Sequence, residues 1–397
     1  MNWYDGFTAI LSRVDTFLLG ILRRYPAVIA LMTLSNRLFT EGIDQMKEKI
    51  RVLVIDDSAM VREIFKQGLS LDPEIEVVGT APDPYIARDK IIELKPDVLT
   101  LDVEMPKMDG VEFLRRLMPQ YPLPVLMVSS LTQKGKKITI EALAAGAVDF
   151  VSKPTSNIAQ GLNQMLDELR SKVKIAAKAN VAGWKRKSSE QSPPKIQAPC
   201  ALAESTDKVI AIGASTGGTE AIREIVTTFP PDMPGIVIVQ HMPAGFTKMF
   251  ADHLNDQCAM EVKEAEMSDR VMVGRILIAP GDFHMKLYRS GGIYRVECMK
   301  GDTVCGHRPS VEVLFNSVAL SAGANAIGIM LTGMGHDGAD GMVAMRRAGA
   351  RTIAQDEATS VVFGMPKEAY IRGGAETLVP LHDIAATARI LLKRHSL

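Results

Sequence analysis

The sequence lacks the features that mark several specialised classes of protein. Its 397 residues include four cysteines, none of them in a CxxC pair, so a cysteine-bound zinc site is not predicted. We expect these thiols to be reduced, as in a cytoplasmic protein. Lysine plus arginine equals aspartate plus glutamate, at 46 each. Because there is no net charge, composition gives no reason to expect nucleic acid as a partner.

Long hydrophobic runs are also missing. No apolar run reaches the roughly 18 residues that a membrane-spanning helix needs, and no signal-peptide cleavage pattern follows the N-terminal runs. We therefore expect no direct membrane insertion. Residues 1–45 carry short apolar runs interrupted by charged residues. We interpret residues 1–48 as an N-terminal extension, of which the part before Met46 is non-native sequence translated upstream of a true start at Met46. A surface amphipathic anchor is the alternative.

Strand and helix patterns alternate from Arg51 to Lys153. Five apolar runs followed by helical patterns predict a parallel, doubly wound α/β sheet, whose ligands bind beyond the carboxyl ends of its strands. Asp56, Asp57 and Asp102 fall at those ends, and Lys153 follows the fifth strand. Clustered carboxylates repel one another, and a hard cation such as Mg²⁺ relieves that repulsion. A carboxylate beside such a metal can attack a phosphoryl group.

Several short motifs of this first half occur together in one known family. They are Asp56-Asp57, Leu101 to Pro106 around Asp102, Asp109-Gly110, Ser129 and Lys153-Pro154. With these motifs, residues 49–155 resemble a response-regulator receiver domain, which implies a flavodoxin-like fold. The resemblance makes Asp102 the phospho-acceptor. It implies that Asp57, Asp102 and the backbone carbonyl of Glu104 hold Mg²⁺.

The same resemblance assigns supporting roles to four further residues. Asp56 belongs to the acidic pair, and Lys153 would pair with the phosphoryl group. Ser129 and Phe150 occupy the positions of the family's switch hydroxyl and switch aromatic.

A connector separates the two halves. We assign it residues 156–205, with an amphipathic helical pattern over 158–177 and then a linker-like stretch, Lys185 to Pro194. No helix-turn-helix pattern or basic face follows the linker, which disfavours a transcription factor. The second domain is expected over residues 206–397, again with alternating strands and helices.

A serine lies at the turn between the first strand and the first helix of this second domain. Gly213-Ala214-Ser215-Thr216-Gly217 fits G-x-S-x-G, the pattern of an exposed nucleophilic serine. A nucleotide-phosphate cradle is the first alternative, but the stretch lacks the P-loop lysine and the glycine spacing of G-x-G-x-x-G. The second alternative is a tight connection with an inert serine.

Ser215, His241 and Asp337 each follow a predicted strand, so a parallel sheet would bring them to one edge. Serine needs a base to become a nucleophile, and a carboxylate orients and stabilises an imidazole base. His336 instead of His241 as the base, and Asp340 instead of Asp337 as the orienting acid, remain open. The chain order Ser, His, Asp differs from the order in α/β-hydrolases.

Four motifs of the second half complete the comparison with known families. They are Gly213 to Gly218, Gln240 to Pro243, Gly306 to Ser310 and Gly333 to Gly338. Taken with the receiver-like half, the chain resembles the chemotaxis response-regulator protein-glutamate methylesterases, which are also protein-glutamine glutaminases. The resemblance implies a Rossmann-like methylesterase domain with Ser215, His241 and Asp337 as a catalytic triad. It makes the backbone N–H of Met334 a candidate oxyanion donor.

That family implies a phosphorylation-regulated hydrolase that acts in chemotaxis adaptation. Its substrates are glutamate methyl esters and certain glutamines of chemoreceptors, and its phosphodonor is the chemotaxis histidine kinase. The catalytic domain is expected to need no cofactor, and no nucleic-acid partner is expected. The alternative from another class is a receiver-regulated binding module without hydrolysis, which a methanol-release assay distinguishes.

Overall fold

A computed structural model describes residues 49–105, 108–154, 158–182 and 207–394. The interpretations of residues 1–48 and of the linker-like stretch lie outside these ranges. Within them, every helix is too short or too polar to cross a membrane. The three cysteines in these ranges, Cys258, Cys298 and Cys305, are free thiols, as the sequence predicts.

The N-terminal half, residues 50–182, is a five-stranded parallel sheet with the strand order β2-β1-β3-β4-β5. The sequence predicts all five strands, and a helix follows each of them in the structure. The elements are β1 (Ile50–Ile55), α1 (Ala59–Ser70), β2 (Ile75–Ala81), α2 (Pro84–Leu94), β3 (Val98–Asp102), α3 (Gly110–Gln120), β4 (Val125–Ser129), α4 (Gln133–Ala144), β5 (Asp149–Ser152) and α5 (Ile158–Ala176).

Local sequence explains where these elements begin and how they pack. Every residue of β3 and β4 is buried, as expected for central parallel strands. Side-chain caps start the helices: Ser58 accepts from the Val61 N–H, and Asp109 from the Glu112 N–H. Helix α5 contacts β4, β5 and α1. The amphipathic stretch predicted over 158–177 is therefore the fifth helix of this sheet's layer.

The C-terminal half, residues 207–394, is built on a seven-stranded parallel sheet and an antiparallel hairpin, β10–β11. The sheet order is β14-β13-β12-β6-β7-β9-β8. The elements are β6 (Val209–Ala214), α6 (Gly218–Val226), β7 (Gly235–Gln240), α7 (Phe246–Asn255), β8 (Glu261–Glu264), β9 (Arg275–Ile278), β10 (His284–Ser290), β11 (Ile293–Met299), α8 (Val311–Ala322), β12 (Ala326–Met330), α9 (Ala339–Arg347), β13 (Arg351–Gln355), α10 (Met365–Ile371), β14 (Thr377–Val379) and α11 (Leu381–Arg394).

Strand β6 lies at the point where the strand order reverses, between β12 on one side and β7 on the other. In open α/β sheets, ligands bind in the crevice at this point. Helix α8 packs closely here: a Cβ on Gly213 would lie 2.3 Å from Cγ1 of Val311. The fold therefore places the start of α8 beside the end of β6.

The two halves contact each other along one face. Helix α4 contacts α6 and α7, and the rings of Phe150 and Phe246 have centroids 4.3 Å apart. The Thr216 hydroxyl donates to Oδ2 of Asp149 at 2.9 Å. The contact therefore reaches the residue that directly follows Ser215.

Candidate active site and acidic cluster

Ser215 stands in a rigid turn between β6 and α6. Its N–H donates to the carbonyl of Thr332, and its own carbonyl accepts from the Gln240 side chain at 2.9 Å. Gly217 has a left-handed backbone, with φ of 76°, and a Cβ there would lie 2.6 Å from Val361. Only glycine fits this position without strain. The turn thus holds the serine fixed at the carboxyl edge of the sheet.

The structure brings Ser215, His241 and Asp337 into one hydrogen-bonded chain. The Nδ1 atom of His241 lies 3.1 Å from Oγ of Ser215, and Nε2 lies 2.8 Å from Oδ2 of Asp337. Because an ionised carboxylate only accepts, Nε2 carries the proton and Nδ1 presents its lone pair to the serine. This is the reverse of the arrangement in chymotrypsin-like enzymes, where Nε2 faces the serine. The base function is the same.

Asp337 is held by the start of helix α8 as well as by His241. Its Oδ1 accepts from the Ser310 hydroxyl at 2.7 Å, and the backbone N–H groups of Val311 and Glu312 also donate to the carboxylate. Burial by itself would raise the pKa of Asp337, but the hydrogen bonds from His241, Ser310 and Val311 hold it below the ordinary value. Asp337 is therefore ionised at neutral pH.

Two backbone N–H groups beside the serine are free of hydrogen bonds to the described residues. They belong to Thr216 and Met334. Met334 follows Gly333, where a Cβ would lie 2.8 Å from Cβ of Ser215, so this loop passes directly beside the serine. Free N–H groups next to a nucleophile suit the stabilisation of a developing oxyanion.

The two open alternatives, His336 and Asp340, do not take part in this chain. His336 is exposed to solvent. Asp340 is also exposed and pairs with Arg372, at 2.8 Å. Asp337, not Asp340, is the carboxylate at hydrogen-bond distance from an imidazole.

Ser215 and His241 line a cleft of about 640 Å³. Its C-terminal walls include Ser215, His241, His307 and Arg308. The opposite wall comes from the N-terminal half, with Asp149 of β5 and Lys172 of α5 among its residues. The N-terminal half therefore forms one wall of the cleft.

The acidic cluster of the N-terminal half forms at the carboxyl edge of its sheet. Carboxylate oxygens of Asp56, Asp57 and Asp102 lie within 4.8 Å of one another. The Lys153 amine lies 2.9 Å from Asp102 and 3.1 Å from Asp56. Burial raises the pKa of Asp102 to about 6 against the opposing effect of Lys153. Converging hard oxygen ligands of this kind fit Mg²⁺.

The remaining residues that the resemblance names, Ser129, Phe150 and Glu104, each make contacts of their own. The Ser129 hydroxyl contacts the Gly135 carbonyl and the Thr139 hydroxyl, at 3.2 and 2.6 Å. Phe150 is buried against Phe246 of the other half. Glu104 follows β3, with its side chain 3.9 Å from Lys134. Ser129 thus faces α4, and Phe150 lies in the contact between the halves.

Comparison with known proteins gives a consistent result for both halves. The family profile described as CheB methylesterase matches residues 210–388, and the response regulator receiver domain profile matches residues 52–179. A protein-glutamate methylesterase/protein-glutamine glutaminase of Syntrophotalea carbinolica is 69% identical over 86% of this chain and 97% of its own. This chain belongs to that family.

A second relative matches over a similar extent, and one solved structure matches over less of the chain. The protein of the same name from Sulfurimonas denitrificans is 55% identical over 86% of this chain and 98% of its own. The solved catalytic domain of Thermotoga maritima CheB methylesterase is 37% identical and covers 48% of this chain and 100% of its own, with a TM-score of 0.46.

Sequence reasoning gave no role to Ser310, Gln240 or Thr216. Ser310 directly precedes α8, the position of an ordinary N-cap. Its hydroxyl makes no cap bond to the helix and donates to Asp337 instead. Because the cap pattern is identical in the two cases, the sequence carried no signal for this contact. Gln240 directly precedes His241 in the motif Gln240 to Pro243, and this adjacency is the sequence feature that indicates a place near the active site.

Proposed function

We propose that this chain hydrolyses glutamate methyl esters and selected glutamine amides of chemoreceptors, with Ser215 as nucleophile. The hydrogen-bonded chain from Ser215 through His241 to Asp337, at the floor of a cleft, is the observation that carries the proposal. Members of the family are named for both reactions. A binding module without hydrolysis has no need for a serine, an imidazole and an ionised carboxylate in this order.

In the acylation step, Oγ of Ser215 attacks the side-chain carbonyl carbon of the substrate. Nδ1 of His241 takes the serine proton, and Asp337 stabilises the resulting imidazolium through Nε2. The negative charge on the carbonyl oxygen is met by the free N–H groups of Thr216 and Met334. When the tetrahedral intermediate collapses, Nδ1 returns the proton to departing methanol or ammonia.

Deacylation follows the same route in reverse. Water attacks the glutamyl ester on Ser215, His241 accepts a proton from that water, and Ser215 leaves with the proton restored to Oγ. The product is a glutamate carboxylate. In this scheme Asp337 meets the charge on His241 and the two free N–H groups meet the charge on the substrate oxygen, so we propose that the catalytic half needs no additional ion.

Control of this reaction is assigned to Asp102. We propose that the chemotaxis histidine kinase supplies a phosphoryl group to the Asp102 carboxylate. Asp57, Asp102 and the Glu104 carbonyl would hold Mg²⁺, which supplies neutralisation of phosphoryl charge. Lys153, which already contacts Asp102, would pair with the phosphoryl oxygens. The acyl phosphate carries about two negative charges in place of the single charge of the carboxylate.

The wall that the N-terminal half adds to the cleft suggests how that control would reach the serine. The unphosphorylated receiver half supplies one wall of the cleft and holds Thr216 through Asp149. A receptor segment of protein size needs this wall to move. We propose that phosphorylation repacks Ser129 and Phe150, weakens the contact between the halves and opens the cleft.

Methanol release from methylated receptor membranes tests the enzymatic part. Ser215→Ala, His241→Ala and Asp337→Ala in the full chain should each lower the rate about 10³- to 10⁶-fold. The double variant Ser215→Ala/His241→Ala should be no slower than Ser215→Ala, because the groups act as one unit. His336→Ala, with an exposed side chain outside the chain of three, is the matched control and should retain activity. Full activity in folded Ser215→Ala protein would contradict the mechanism.

A further inference from the structure

His307 lies face to face with His241. The two imidazole rings have centroids 3.7 Å apart and planes inclined by 14°. Both nitrogens of His241 are engaged in the plane of its ring, one by Ser215 and one by Asp337. His307 therefore contacts the catalytic base through its face, the part of the ring that these hydrogen bonds leave unrestrained. The mechanism above gives His307 no role.

A tight turn fixes the backbone of His307. Val304 and His307 exchange two backbone hydrogen bonds, at 2.9 and 3.1 Å, around Cys305 and Gly306. Both central residues have left-handed backbones, with φ of 52° at Cys305 and 81° at Gly306. A non-glycine residue in this region is strained, and such strain persists where the surrounding structure over-determines it. The turn thus delivers the ring of His307 to a defined place.

The chain on the other side of His307 is also anchored. The Arg308 guanidinium pairs with Asp282, with Nε at 2.9 Å from Oδ1. Pro309 is buried, and Ser310 donates to Asp337. The residues that position His307 and the residues that position Asp337 are therefore one continuous segment, which holds the base from its face and from its edge.

The orientation of an imidazole about its last torsion is intrinsically loose, because the torsion that ends in a flat ring has a broad energy profile. Rotation of His241 about this torsion would lengthen its bonds to both Ser215 and Asp337. A parallel ring against its face resists that rotation. We propose that His307 is a positioning residue, whose stacked ring keeps His241 in the plane that joins Ser215 to Asp337. This inference rests on the proposed role of His241 as the base.

The charge state of His307 suits this role. Burial, and then the neighbouring His241, lower the pKa of His307 to about 4, with Asp337 acting in the opposite direction and Lys172 in the same one. His307 is therefore neutral at neutral pH. A neutral His307 adds no like-charge repulsion against the imidazolium that forms when His241 takes the serine proton, so the stack persists through that step.

Three substitutions in the phosphodonor-treated full chain separate stacking from chemistry at the ring nitrogens. His307→Ala removes the ring, His307→Phe keeps a flat ring without nitrogens, and His307→Gln keeps polar atoms without a ring. Small misplacement of catalytic groups costs on the order of 10²-fold in rate. We expect His307→Ala and His307→Gln to lower kcat for methanol release about 10- to 100-fold with KM nearly unchanged. His307→Phe should stay within about 5-fold of the parent chain.

The rate at which a fluorophosphonate labels Ser215 gives a second readout, because it depends on the base and not on receptor binding. It should rank the variants in the same order. Far-UV circular dichroism and urea unfolding of the full chain report whether each variant is folded. The proposal is overturned if His307→Ala keeps the kcat of the parent chain. It is also overturned if His307→Gln keeps a kcat near that of the parent chain while His307→Phe does not. His241→Ala in the same assays separates the two claims, since activity in that variant would refute the proposed function itself.

Discussion

Asp337 has partners of two kinds, side chains and the backbone at the start of α8, and this explains why the orienting acid is so firmly held. It stabilises the base, His241, by accepting from Nε2, and it caps helix α8 by accepting from the Val311 and Glu312 N–H groups. A carboxylate at a helix N-terminus also gains from the helix dipole. The same side chain therefore joins the catalytic chain to the fold, and its ionised state is stabilised by both.

At this scale, the pKa of His307 predicts how stability depends on pH. The unfolded group titrates near 6.5, and burial lowers the folded pKa to about 4. Between these values the unfolded chain binds a proton that the folded chain does not. The contribution of neutral His307 is therefore present above about pH 6.5 and is lost as the pH falls toward about 4.

We expect the free energy of unfolding of the parent chain to fall by roughly 1–3 kcal/mol more than that of His307→Phe between pH 7 and pH 4.5. Phenylalanine keeps the ring and removes the titration. Urea unfolding of both proteins at the two pH values measures the difference. Parallel pH dependence of the two proteins would contradict the lowered pKa.

Glycines with left-handed backbones start three helices at the carboxyl edge of the C-terminal sheet. Gly217, Gly245 and Gly338 precede α6, α7 and α9, with φ of 76°, 83° and 84°. None of these helices has a side-chain cap. Each glycine turns the chain sharply from a strand or loop into a helix, and two of the turns carry Ser215 and Asp337. The backbone, more than capping side chains, positions these residues.

Gly338→Ala tests this use of glycine, with Gly373→Ala as the matched control. Both positions have left-handed backbones, but a Cβ at Gly338 would lie 2.3 Å from Val311, whereas nothing lies within 4 Å at Gly373. The backbone strain, about 1–2 kcal/mol, is common to both. Overpacking should add about 1–3 kcal/mol of destabilisation at Gly338 only.

Because Val311 donates to Asp337, methanol release should fall in Gly338→Ala and stay near the parent rate in Gly373→Ala. Equal effects of the two substitutions on both unfolding and rate would rule out crowding at Gly338.

The sequence predicts the elements of this edge better than their neighbours. Alternating apolar runs and helical patterns identify all five strands of the first sheet and the strands that precede Ser215, His241 and the Gly333 turn. Strand β8 was not predicted, because Val262 is the single apolar residue among its four and the other three are charged. Strand order and the facing of Ser310 toward Asp337 depend on contacts between distant segments, which local patterns do not contain.

At the scale of the whole molecule, the receiver half (residues 50–182) and the catalytic half (residues 207–394) contact each other and line one cleft together. The sequence indicates a flexible connector and two functional edges, but it does not say which surfaces meet. The structure places α4, β5 and α5 of the receiver half against α6, α7 and the Ser215 turn. Asp149 links the two chemistries most directly: it precedes Phe150 and contacts Thr216, next to the serine.

Asp149→Ala should therefore raise the basal activity of the unphosphorylated chain. Loss of the hydrogen bond to Thr216, worth about 0.5–1.5 kcal/mol, should weaken the contact and increase methanol release about 2- to 10-fold. Asp89→Ala is the matched control, because Asp89 is an exposed acid on α2 that pairs with Arg88. If the two variants have the same basal rate, the Asp149 contact does not restrain the enzyme.

The most direct test of the account is the rate of methanol release with and without a small phosphodonor, measured on the same methylated receptor membranes. Phosphodonor should stimulate the full chain about 5- to 150-fold, the range expected for a coupling of 1–3 kcal/mol. It should not stimulate Asp102→Asn, which keeps the size of the side chain but lacks the accepting carboxylate. A fragment of residues 206–397 should be more active than the unphosphorylated chain and indifferent to phosphodonor. An unchanged rate in full chain that is demonstrably phosphorylated at Asp102, or equal rates for the fragment and the unphosphorylated chain, would contradict restraint of Ser215 by the receiver half.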